Sequence, residues 1–181
     1  MTDEMRELLE QLEELMKLND QELKNNLEEM QQDNEDMLQN MDRTLELWKH
    51  LQVEKELNEV IEDLNELGEK ELEESRSEDP ENKLEKQEEL NEDFDNIKEA
   101  VDSLMEMNKD LEDPYNLDNL DEQLQKIDST MQKASEQLQK GKSKKGSQSQ
   151  QSAGEQMKQL SEQLQSMMDM MAQQSLGEDI N

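Results

Sequence analysis

Cysteine is absent from this 181-residue chain, which excludes disulfide frameworks, Cys-ligated zinc and thiol catalysis. Trp48, Tyr115, Phe94 and His50 are each the single residue of their kind. Hydrophobic residues make up only 30% of the chain, whereas an ordinary domain is close to half apolar, so the composition predicts no sizeable globular core. No run of about 18 apolar residues occurs, and no segment here is expected to span a bilayer. The opening stretch, Met1-Thr-Asp-Glu-Met-Arg6, lacks the apolar run of a signal peptide. With two Pro and five Gly, little interrupts the long runs between them.

What fills those runs is charge. Fifty Asp and Glu face 19 Lys and Arg, a net charge of −31. High charge with low hydropathy marks disordered chains, but Glu, Leu, Lys, Gln and Met in Gly-poor, Pro-poor runs mark long helices. Periodicity separates the two, because disorder does not space its apolar residues. Val53, Leu57, Val60, Leu64 and Leu67 step by four and three. So do Leu90, Phe94, Ile97, Val101, Leu104, Asn108 and Leu111, then Leu117, Leu120, Leu124, Ile127, Met131, Ala134 and Leu138, then Ala153, Met157, Leu160, Leu164, Met167 and Met171. Each row is a heptad seam that needs a partner helix. The expected fold class is all-α, an elongated coiled coil or set of antiparallel helical hairpins.

The organisation follows from the punctuation. A long first helix is expected over 1–74, with the early seam Met5, Leu9, Leu12, Met16, Leu23, Leu27, Met30, Met37, Met41, Leu45 and Trp48. Asn19, Asn26 and Asn34 fall where that seam wants apolar groups, and a break near Asn19–Asp20 is the alternative to a rod of about 105 Å. A turn is expected over 75–80, with Asp79 as N-cap and Pro80 in the first helical position. The second helix is expected over 81–112 and the third over 113–140, opened by Asp113-Pro114. Residues 141–154, rich in Lys, Ser, Gln and Gly, read as a flexible linker, followed by a Met/Gln-rich fourth helix over 155–176 and a frayed or truncated end over 177–181. Short connections favour antiparallel neighbours, so helix one pairs with two and helix three with four. Asn108 lies in the second seam, where a polar group lowers stability and restricts register. Charge is uneven: residues 54–93 carry 18 acids and 5 bases, a net −13, while residues 132–165 carry six Lys and three Glu, a net +3.

The carboxylates do not assemble into a recognisable site. Bundle di-iron centres need two Glu-x-x-His motifs, and the single His50 is preceded at that spacing by Leu47. The acidic loop Asp110–Asp118 lacks the central Gly of an EF-hand. No phosphate-binding Gly motif and no nucleophile elbow is present. No catalytic residue, cofactor or metal is expected. Lys140, Lys142, Lys144 and Lys145 lack the interleaved aromatics of a nucleic-acid surface, so nucleic acid is not an expected partner. Partner contact or self-association through the helical seams is. Trp48, with Leu45, Leu47 and Leu51, is the densest apolar cluster of helix one and can anchor an interface or close the seam. Phe94 centres the second seam. Met167, Met168, Met170 and Met171, with Met157, form a soft adaptable face, with Met170 off the seam. Gln and Ser opposite them argue against direct membrane contact. The competing function class is an acidic, partly disordered binder of basic partners, chaperone-like or a nucleic-acid mimic.

Several stretches are similar to known sequence. They are Asp42-Arg-Thr-Leu-Glu-Leu-Trp-Lys-His-Leu-Gln-Val-Glu54, Glu88-Glu-Leu-Asn-Glu-Asp-Phe94, Asn108-Lys-Asp-Leu-Glu-Asp-Pro114, and the Lys/Ser/Gln stretch leading to Gln156-Met-Lys-Gln-Leu160. In this order they resemble the helical part of large bacterial membrane-anchored proteins classed as a domain of unknown function. The resemblance runs from about residue 5 to 181. It implies a soluble segment excised from a longer protein, with membrane spans elsewhere. It carries no activity and no catalytic residue.

Overall fold

The computed structural model describes the backbone of residues 3–77, 82–117 and 119–178, and the side-chain surroundings of 16–18, 21–77, 82–117 and 119–171. Strong helix formers dominate these runs, and all regular structure among the described residues is α-helical. The four helices are α1 (Asp3–Arg76), α2 (Lys83–Lys109), α3 (Leu120–Gln139) and α4 (Ser143–Glu178). α1 is unbroken through Asn19–Asp20. The side chains of Met5, Leu9, Leu12 and Asn19, and the caps expected at Asp79 and Pro80, lie outside the described residues.

The chain divides into two units, Met1–Leu47 and Trp48–Asn181. The described residues of the first, from Asp3 on, are helix alone. The second is an up-down-up-down four-helix bundle of α1 from Trp48 onward with α2, α3 and α4. Cross-helix pairs fix the antiparallel order. Glu71 meets Gln87 and Glu74 meets Lys86 between α1 and α2. Asn91 meets Ser135 and Lys98 meets Asp128 between α2 and α3. Ser149 donates to Gln137 between α4 and α3, and Lys158 pairs with Glu69 between α4 and α1.

All four seams point into one core. Val53, Leu57, Val60, Leu64 and Leu67 meet Leu90, Phe94, Ile97, Val101 and Leu104, with Leu120, Leu124, Ile127 and Met131 from α3 and Ala153, Met157, Leu160 and Leu164 from α4. The expectation that no sizeable core forms is therefore corrected. A chain with few apolar residues builds one by placing nearly all those of the bundle segment at seam positions. Separate hairpins do not describe this unit, because α2 packs on α3 and α4 on α1 as well.

The linker expected over 141–154 is also corrected. Gly141 adopts φ 68°, a left-handed conformation that glycine takes without steric cost. Its N–H donates to the Leu138 carbonyl at 2.9 Å and the Lys142 N–H to that of Gln137 at 2.8 Å, a Schellman closure of α3. α4 then begins at Ser143, and Ser149, Gln150 and Ala153 are buried. The small residues serve packing. A Cβ on Gly154 would lie 2.7 Å from the Gly68 carbonyl oxygen and 2.8 Å from Leu72 Cγ. A Cβ on Gly146 would lie 2.5 Å from Leu138 Cδ2. Helices approach this closely only where one side lacks a side chain.

Candidate functional site

Three places carry chemistry or surface that the hydrophobic core does not absorb.

The first is the apolar row of α1 in the N-terminal unit. Met16, Leu23, Leu27, Met30, Met37, Met41 and Leu45 fall within about 80° of arc on a 3.6-residue helix. They are 53–65% exposed. An amphipathic face of that width normally packs against something. Asn34 sits on the centre of the same face.

The second is the end of the bundle nearest the α1–α2 turn. The seams continue there in step, but the residues turn polar. Leu67 is followed at the same spacing by Glu71 and Glu74, Leu90 is preceded by Gln87 and Lys83, and Ala153 by Gln150 and Gly146. Glu71, Gln87 and Gln150 are fully buried, Lys83 is 3% exposed and Glu74 is 8% exposed. Gln87 donates to Glu71 at 3.0 Å. Lys83 donates to the Ser77 carbonyl at 2.8 Å and to Ser147 at 2.6 Å. Glu71 Oε2, Glu74 Oε1, Gln87 Oε1 and both amide atoms of Gln150 have no protein partner. Burial pushes the Glu71 carboxyl up from 4.5 to about 7; the Gln87 hydrogen bond opposes this, and the neighbouring Glu74 adds to it. In the sequence only the continued heptad step marks this layer, because its residue types are those of a surface. The seams expected from apolar spacing end at their last apolar residue and leave it out.

The third place is the opposite end, where the only His meets the only Tyr. The Tyr115 hydroxyl donates to Glu54 at 3.0 Å and lies 2.9 Å from His50 Nδ1, with the rings edge-on at 5.3 Å. Burial, then the Glu54 hydrogen bond and charge, hold the phenol well above its ordinary pKa. Asn108 binds the same loop twice. Its Nδ2 donates to the Tyr115 carbonyl at 2.8 Å, and its Oδ1 accepts from the Tyr115 N–H at 2.9 Å. Asn108 is therefore not an unfavourable polar group in a seam. It satisfies the backbone of the α2–α3 loop, and replacing it with an apolar side chain would strand both backbone groups.

The residues singled out in the sequence are placed as follows. Trp48 is 57% exposed, with Leu47 at 62% and Leu51 at 54%, so the cluster does not close the bundle seam. Trp48 and Leu51 lie on the outer face of α1, because the seam changes phase before Val53. Phe94, expected at the centre of the second seam, is 1% exposed inside the bundle core, so it is not available on the surface for a further partner. Met167 and Met168 pack partly buried against the core, Met171 is half-buried, and Met170 is 64% exposed.

Among the described residues no group of three His, Cys, Asp or Glu is arranged to hold a metal ion. Among them no helix is long and apolar enough to cross a membrane. Comparison of the chain with family models, with curated proteins and with solved structures finds no match.

Proposed function

We propose that this chain is a non-enzymatic structural module of a larger, membrane-anchored bacterial protein, and that it works by protein–protein contact through its helical faces. The observation that carries this reading is the exposed row Met16 to Leu45. Seven large apolar side chains on one face of a charged helix form a larger continuous patch than solubility favours, and such patches mark contact sites. The four Met among them suit a surface that adapts to its partner. The membrane anchor rests on the sequence resemblance alone.

Site-specific photo-crosslinking in cells tests the contact reading. A photoreactive residue at Met30 or Met37 should give discrete protein adducts, and one at Glu35 or Gln39, on the far face, should not. Equal labelling from both faces, or none from either, would overturn it.

A further inference from the structure

We infer that the exposed row of α1 packs against the same row of a second copy of this chain, as a parallel, in-register two-stranded coiled coil centred on Asn34. The inference rests on the reading of this row as a contact surface and names its occupant. Two observations on the helix select it.

The first is where the charge sits. Leu23, Met30 and Met37 alternate with Leu27, Asn34 and Met41 as the two seam positions of a heptad. The positions that border such a seam carry Asn26, which this heptad phase takes out of the seam itself, with Asp33 and Asn40 on one side, and Lys24, Gln31 and Leu38 on the other. The acids Glu22, Glu28, Glu29, Glu35, Asp36 and Asp42 lie farther out, Asp33 is on the border, and Asp20 holds the seam position one heptad before Leu27. A face built for a basic helix would line its border with Glu and Asp, because border residues set partner choice. A face built for an equally acidic copy keeps most of them off, and Asp33 is the one acid bordering the seam between Leu23 and Met41. In a parallel pair the border contacts are Asn26 with Gln31 and Asp33 with Leu38, and none joins like charges. The outer acids of two copies stand farther apart than the screening length of about 8 Å at physiological salt.

The second observation is Asn34. An amide in the middle of an apolar seam would be buried without a partner against an ordinary hydrophobic helix. Parallel, in-register pairing with a copy sets Asn34 against Asn34, where each amide finds a donor and an acceptor. One such Asn specifies two strands and one register at some cost in stability.

Sedimentation equilibrium of the full chain from about 1 to 200 µM should show a reversible monomer–dimer equilibrium that strengthens with added salt. Leu27→Gln with Met30→Gln should weaken dimerisation by about a hundredfold or more, while the helicity and melting of the bundle stay as in the parent. Asn34→Leu should tighten association by about tenfold and admit other stoichiometries. Register is read by a single thiol, since the chain has none of its own. In a glutathione redox buffer, two Leu23→Cys chains should link to each other by a disulfide, with glutathione disulfide taking up the two electrons and two protons. Leu23→Cys should not link to Leu45→Cys. The opposite linkage pattern would mean antiparallel pairing and overturn the inference. A chain that stays monomeric at 200 µM, or dimerises equally well with Leu27 and Met30 replaced, also overturns it. If crosslinks from Met30 to another protein persist in either case, the contact reading stands and only its occupant is wrong.

Discussion

Along α1, Val53, Leu57, Val60, Leu64 and Leu67 are at most 3% exposed, whereas Leu23, Leu27, Met30, Met37 and Met41 are 53–65% exposed. Both rows step by three and four residues once Asn34 is counted between Met30 and Met37, and both are separated by acids. The bundle row is covered because three further amphipathic helices follow it through short turns and close around it. The N-terminal row is not covered by these helices. Heptad spacing thus reports that a face is suited to burial, and connectivity decides whether the chain buries it. Nor does burial require an apolar residue, since the bundle row runs on into Glu71.

The largest effect should come from the centre of the covered row's partner helix. Phe94→Ala removes the only Phe, which is 1% exposed, and should cost about 3–5 kcal/mol of bundle stability, seen as a sharp fall in melting temperature. Parent-like melting would show that α2 does not present this face to the core.

The polar end comes next. Glu71 has a raised carboxyl pKa in the fold, so between pH 4.5 and about 7 the folded chain keeps a proton that the unfolded chain releases. Its contribution to stability is complete below that window and falls as pH rises through it, by about 3 kcal/mol. Glu71→Gln stays neutral throughout. It should match the parent at pH 4 and exceed it by up to about 3 kcal/mol at pH 8 in urea unfolding. A variant less stable than the parent at pH 8 would mean the ionised carboxylate has a favourable partner there.

Gly154→Ala should follow. Alanine favours helix over glycine by about 1 kcal/mol, but the added methyl meets the Gly68 backbone oxygen, which cannot rotate away. Overpacking of this kind costs about 1–3 kcal/mol, so the net change should be destabilising in thermal melts. A stabilised variant would put α1 and α4 farther apart than described.

The smallest effect belongs to the uncovered row. Leu27→Ala should change the melting of the monomeric bundle by less than about 0.5 kcal/mol, as exposed substitutions do. A loss comparable to that of Phe94→Ala, measured where the chain is monomeric, would erase the contrast between the two rows.

Much of this was readable from residue order. The all-α class and the buried rows of α1 to α4 follow from apolar spacing alone, because a seam of Leu, Ile, Val and Met leaves few other solutions. Two things did not follow. Residues 141–154 have the composition of a linker, yet Gly146, Ser149 and Gly154 are small because α4 approaches α3 and α1 closely there. Composition cannot separate a residue that is small for freedom from one that is small for fit. The polar layer was hidden for a related reason. Glu71, Gln87 and Gln150 are residues of the surface by type, and only their phase places them inside. His50 and Tyr115 stand 65 positions apart, and no local pattern joins them.

The topology of the bundle also bears on how it forms in time. Of its four helix contacts, three join consecutive helices across short connections, and such local pairings are quick to establish. The contact of α4 with α1 is the exception, because Gly154 and Gly68 must meet across the whole intervening chain. Closing that longest loop is the costly step, and we expect it to come last. Stopped-flow unfolding should then show Gly154→Ala accelerating the opening of the bundle while leaving its folding rate nearly unchanged, the signature of a contact absent from the transition state. Slowed folding would place the two glycines in the nucleus instead.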